Sequence, residues 1–219
     1  MNIRRLLLLL LLPLAASASA AAPNPVATAC NGEAPGPFVN CSGADLSDAI
    51  LRGADLEGIV LDGAILKGAD LTGANLRDAS MQSADLRGAS LIGATLNVSN
   101  LHGANFNGAV LRGARFDLAS ATDTTFSYAD MTGTHLMGTL LRGADMTRAL
   151  MTHADLSIAH LGNANLNGAD LTNANFHNAY TKDTTAQHAT WAQTTCPDGS
   201  KIPRCFGQAA MPGAALMAP

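Results

Sequence analysis

From Ala44 to Asn178 a five-residue pattern runs without a break in phase. Its centre positions begin Leu46, Leu51, Leu56 and continue to Phe176; of 27 centres, 18 are Leu, four are Phe, four are Met and one is Ala121. Two residues before each centre stands Ala in 22 of the 27 units, the exceptions being Ile59, Ser99, Thr124, Thr134 and Thr139. No regular element buries such a pattern on one side. On a helix, five residues advance about 140°, which spreads the leucines around the cylinder. On a straight strand, a step of five flips the face each time.

A chain that turns a corner every five residues escapes both problems. In the unit Ala44–Asp48, Ala44 and Leu46 point inward, Asp45 and Ser47 point to solvent, and Asp48 takes the corner. Fourteen of the 27 corner positions are Gly and six more are Asn or Asp, the residues that tolerate turn dihedrals. Four such sides close a turn of twenty residues. Stacked turns then place Leu46, Leu66, Leu86, Phe106 and Phe126 in one core ladder, followed by Met146 and Leu166. Small Ala at the second inward position suits a narrow, close-packed lumen. At the spacing of neighbouring strands, about 4.8 Å, nearly seven turns make a rod on the order of 30 Å long. The expected class is an all-β solenoid of about seven coils.

Eight units read Ala-(Asp/Asn)-Leu, among them Ala54-Asp55-Leu56, Ala74-Asn75-Leu76 and Ala169-Asp170-Leu171; four more carry Phe or Met at the centre, as in Ala104-Asn105-Phe106. This repeat resembles that of the pentapeptide-repeat family. The resemblance implies a right-handed quadrilateral β-helix. It also brings in a role known for some cytosolic members, which resemble DNA in shape and charge and protect DNA gyrase from quinolones. One solenoid serves many roles, so the fold alone selects none of them.

The flanks divide the rest of the chain. A basic start (Arg4-Arg5), the leucine run 6–12 and the small residues Ala18-Ser19-Ala20 read as a signal peptide over 1–20, cleaved near Ala20. The apolar run is too short to span a bilayer, and no transmembrane segment is expected in the mature chain. The arginine pair is too common to mark a twin-arginine leader, and Cys30 lacks the setting of a lipidated cysteine. Residues 21–43 are a Pro/Gly-rich lead-in, 44–180 the repeat helix, 181–205 a C-terminal cap and 206–219 a tail expected to be disordered. A solenoid exposes unpaired backbone groups at both ends, so both are expected to be capped. Four cysteines allow three pairings, and residues a rod apart cannot meet; this leaves Cys30–Cys41 and Cys196–Cys205, each knotting one end. Such bridges fit an exported, periplasmic or extracellular protein. Trp191, the only Trp, is expected to plug the open end. Between Leu118 and Leu140 the repeat rules weaken, and structural drift explains this more simply than function does.

Charge and motifs narrow the function. Within 44–180 there are 14 acidic and 8 basic residues, a net of −6, with no basic stripe for direct nucleic-acid binding. No nucleophile elbow, phosphate loop or metalloprotease motif occurs, and the six histidines fall at outward, corner or cap positions. Neither an enzyme, a cofactor nor a metal is expected. The reading is a non-enzymatic exported scaffold for an unknown protein or envelope component, free to oligomerise. The alternatives are a gyrase-protecting DNA mimic and a surface-adsorbing, ice-binding-like solenoid. For the last, Thr132, Thr152 and Thr172 form a ladder that Asp130, Leu150 and Asp170 interrupt.

Overall fold

In a computed structural model, the protein is described over residues 30–201 together with Cys205 and Phe206. The leader expected over 1–20 and most of the expected tail lie outside the described residues. The backbone winds in a coil whose register is twenty residues. Parallel bridges link each residue one place before a centre with the residue twenty further on, from Asn40–Val60 to Asn175–Thr195. Each side of the coil is too short for an extended strand and contributes a single bridge per neighbour. We number the sides by their centres: face 1 holds Leu46, face 2 Leu51, face 3 Leu56 and face 4 Leu61.

The unit Ala84–Gly88 shows why the repeat has its composition. The N–H groups of Asp85, Leu86 and Gly88 donate to Ala64, Asn105 and Asn107 carbonyls in the coils on either side, and Ala84 N–H closes the turn onto Met81. One amide of the five, that of Arg87, finds no backbone acceptor and instead donates to Asp85 Oδ1 at 3.2 Å. The same two-residue bond recurs from Ser47 to Asp45, Thr72 to Asp70, Asn107 to Asn105, Thr147 to Asp145 and Ser157 to Asp155. Asp or Asn before the centre therefore satisfies the one backbone donor that the coil leaves over.

Apart from Ala121–Thr124, the corners are four-residue turns with an i+3 to i hydrogen bond, as in Ala54 N–H to Leu51 C=O. The third residue of each corner has φ near +60°, at Gly53 and at every fifth position from Gly43 to Gln193. A positive φ at that position alone defines a type II turn, which Gly and Asn enter at low cost. Val98 (φ +64°), Leu118 (+61°) and Ile158 (+51°) adopt it too, although branched side chains resist this conformation.

The interior is dry. Leu66, Leu86, Phe106, Phe126 and Leu166 are fully buried, and Leu46 nearly so. Phe106 and Phe116 lie on opposite faces, yet their rings approach to 6.1 Å; Phe126 stacks on Phe106 at 5.1 Å. Three rings meeting across the axis leave little room on face 4, where the buried centre is Ala121. The Thr residues that replace Ala are equally buried, and their hydroxyls donate to backbone carbonyls: Thr124 to Leu101, Thr134 to Met131 and Thr139 to Phe116, each at 2.8 Å. A hydroxyl bonded in this way is tolerated inside, where an unpaired one would not be.

Two boundaries differ from those read in the sequence. In-register bridging begins at Asn40, inside the lead-in, and continues to Thr195, well past 180. Backbone bonds hold the phase through Thr181–Thr195 even though the Leu/Ala signature has lapsed there. Phe206, assigned to the tail, instead packs its ring 4.9 Å from Trp191 and 5.3 Å from Phe176.

Candidate functional site

The cysteines occupy the two ends of the coil. Cys30 and Cys41 are bonded with Cα atoms 4.3 Å apart, and Cys196 and Cys205 with Cα atoms 5.0 Å apart. Cys41 and Cys196 both stand at centre positions and are buried. Trp191 is a buried centre on face 2, between Leu171 above and Phe206 beside it. Two bridges of this kind fit an oxidising compartment. No helix of the described residues is long and apolar enough to cross a membrane.

The outward rows differ from face to face. The row before the centre carries Asp45, Asp85 and Asp145 on face 1, Asp70, Asp130 and Asp170 on face 2, and Asp55 and Asp155 on face 3. Most of these carboxylates are engaged. Hydrogen bonds from Ser47 hold the Asp45 carboxyl below its usual range, as the Arg87 side chain does for Asp85 and the Thr72 hydroxyl for Asp70. Burial works to raise Asp145, but bonds from Thr147 and Ser127 outweigh it and leave that carboxyl low as well. On face 2 the hydroxyls of Thr152 and Thr132 are 3.4 Å apart, and the exposed Leu150 interrupts the neighbouring row. Among the described residues no three His, Cys, Asp or Glu come together to hold a metal ion.

Face 4 has no Asp in that row. In order the positions are Asn40, Val60, Ser80, Asn100, Ser120, Leu140, His160 and Tyr180. Leu140 is half-exposed, and His160 and Tyr180 follow it one coil apart with ring centroids at 6.1 Å. In the parallel row after the centre, Gly162 sits between Arg142 and Lys182. A Cβ built on Gly162 would lie 3.3 Å from Tyr180 Cε1, so the tyrosine ring leans on the glycine. At the missing side chain lies a cleft of about 310 Å³ lined by Arg142, His160, Asn163, Tyr180, Lys182 and Asp183. Every ion pair among the described residues uses another arginine, so Arg142 and Lys182 are both unpaired there.

Beside this face runs the edge shared with face 3. Its stacked corners are Val98, Leu118, Gly138 and Ile158, with Met137 adjacent. Leu118 is 61% exposed, Val98 47%, Ile158 46% and Met137 43%. A Cβ on Gly138 would stand 2.9 Å from Leu118 Cδ2 and 3.7 Å from Ile158 Cδ1; the two side chains close over the glycine into one ridge. The sequence reading singled out the cysteines, the core ladder and Trp191; it met Leu118 only within the 118–140 stretch that it ascribed to structural drift, and it passed over the stacked column and the cleft. Writing the chain in rows of twenty would have put Val98, Leu118 and Ile158 in one column.

Comparison with known proteins bears on this coil directly. The family model for pentapeptide repeats matches in eight copies between residues 40 and 180. The chain belongs to the pentapeptide-repeat family. Pentapeptide-repeat proteins fold as right-handed quadrilateral β-helices and are generally non-catalytic structural or binding proteins. Among solved structures, a trypsin-treated variant of QnrB1, a plasmid-mediated fluoroquinolone resistance protein, is 25% identical with a TM-score of 0.56, over 71% of this chain and 77% of its own. HetL, involved in heterocyst differentiation regulation in the cyanobacterium Nostoc sp. strain PCC 7120, is 29% identical with a TM-score of 0.39, over 74% and 87%. The comparison with curated proteins gives no match.

Proposed function

We propose that this pentapeptide-repeat protein is a non-enzymatic exported scaffold that binds a protein or envelope component through its outer faces. The observation that carries the reading is the surplus on the edge between faces 3 and 4. Val98, Leu118 and Ile158 are exposed and apolar, and they adopt a backbone conformation that Gly or Asn would enter more cheaply. Folding gains nothing evident from them, whereas an exposed apolar patch is what recognition uses. The two disulphides, Cys30–Cys41 and Cys196–Cys205, support export, and the leader read over 1–20 agrees. At the C-terminal end Trp191, Phe176 and Phe206 act as a cap over the last coil; at the N-terminal end the first bridge does the same.

Expression in a Gram-negative host, followed by fractionation and cross-linking in the envelope, tests this reading. The expected result is a processed chain beginning near residue 21, cross-linked to an envelope or periplasmic protein. A full-length chain retained in the cytosol contradicts it. A second reading, target protection of the fluoroquinolone-resistance kind, is favoured by the likeness to QnrB1. A DNA mimic needs an unbroken anionic face. Here Lys67, Arg87 and Arg148 interrupt face 1, and Arg52 and Arg112 interrupt face 2. A gyrase-protection assay with the purified chain is therefore expected to be negative.

A further inference from the structure

The scaffold reading leaves open which surface is used and what chemistry it takes. Three rows run side by side along the solenoid. The ridge Val98–Leu118–Ile158 marks the edge, Leu140, His160 and Tyr180 come next, and Arg142, Gly162 and Lys182 follow. An exposed apolar strip thus abuts a recessed cleft flanked by two cations that have no carboxylate partner among the described residues. On faces 1 to 3, by contrast, five arginines are paired with Asp.

We propose that this surface is the docking site for an acidic, leucine-bearing segment of a partner protein, whose apolar side chains lie along the ridge while a carboxylate enters the cleft between Arg142 and Lys182. The proposal rests on the scaffold reading and specifies its site. Charge complementarity selects the occupant. The repeat coil is net −6 over 44–180, and against that background two cations without an ion pair, Arg142 and Lys182, flank the one notch that a glycine opens in this row. Two carboxylates stand nearby: Asp183 lines the cleft beside Lys182, and Asp123 is at the corner one coil above Gly143; neither forms an ion pair with Arg142 or Lys182. An anionic lipid surface is less suited, because it would be repelled by the acidic rows of the other faces.

The cost structure of the ridge provides the decisive variants. If Leu118 and Ile158 served stability, replacing them with polar residues would lower the melting temperature. If they serve docking, Asn should relieve the left-handed backbone, hold or raise the melting temperature, and abolish binding. The experiment titrates the full chain against a short fluorescein-labelled peptide mixing glutamate with leucine. Controls are the same peptide with lysine for glutamate or serine for leucine, and vesicles of phosphatidylglycerol and phosphatidylethanolamine. The expected result is binding of the first peptide alone. About tenfold weakening is expected in the Leu118→Asn/Ile158→Asn chain, as when an anchoring residue is lost, and similarly in the Arg142→Gln/Lys182→Gln chain. Equal binding of all three peptides, binding of none at millimolar concentration, or preference for the vesicles overturns the proposal. So does a concentration-dependent dimer that the ridge variant abolishes, which would assign the surface to a second copy. None of these outcomes decides whether a partner is cross-linked in the envelope, so the scaffold reading is tested separately.

Discussion

Face 1 and face 4 are built on the same five-residue period and enclose the same interior, yet they spend their outward residues differently. On face 1, Asp45, Asp85 and Asp145 each accept a backbone N–H from two residues on, and Arg87 and Ser127 add side-chain bonds to Asp85 and Asp145. On face 4, Leu140, His160 and Tyr180 occupy the equivalent places, and the amides of Arg142, Gly162 and Lys182 donate to no backbone acceptor. The difference teaches that polarity on a solenoid surface is poor evidence of function. Face 1 looks chemically richer, but its carboxylates belong to the fold. Face 4 keeps such bonds at Asn40 and Asn100 but gives them up along Leu140, His160 and Tyr180.

The interior sets the largest effect and should fall on both faces alike. Leu86→Asp places an unpaired carboxylate on the dry axis at a cost of several kcal/mol, and cooperative unfolding by circular dichroism should be lost at ambient temperature. Within the interior, Ala121→Leu must push against the Phe106, Phe116 and Phe126 rings. A loss of about 1–3 kcal/mol in urea melts is expected, whereas gaining a methylene in an empty space would stabilise. The faces separate next. Asp145→Ala deprives the Thr147 amide and the Ser127 hydroxyl of their acceptor and should cost about 1–2 kcal/mol, while Leu140→Asn should stay within about 0.5 kcal/mol. The smallest effect is one of pH. The carboxyls of Asp45, Asp85 and Asp145 titrate lower when folded than when unfolded, so the stability they contribute is present above the ordinary Asp range and fades as pH falls below about 4. In Asp145→Ala that acid loss should shrink; in Leu140→Asn it should not.

The period of five made the interior legible, because a geometric constraint on burial leaves few ways to satisfy it. The Gly-rich corners were legible for the same reason: the turn needs a positive φ and Gly shows it. The ends were harder. Thr184 and Thr194 replace inward Ala, and their hydroxyls bond the Leu161 and Leu171 carbonyls, so the coil continues where its apolar signature stops. Phe206 stands beside Trp191 next to the Cys196–Cys205 bridge, a contact that no local pattern announces. The carboxylates before the centres were visible, but their acceptor role depends on which amide the coil leaves over. That appears only when every backbone bond has been placed.

The claim that face 1 commits its carboxylates to backbone amides that the Leu140–Lys182 stretch of face 4 leaves without such an acceptor is tested most directly by residue-resolved amide hydrogen exchange on the folded chain. The amides of Arg87 and Thr147 should exchange several-fold more slowly than those of Arg142, Gly162 and Lys182, and Asp145→Ala should bring Thr147 up to the faster rate. Equal protection on the two faces, or a Thr147 amide indifferent to the loss of Asp145, would contradict the account.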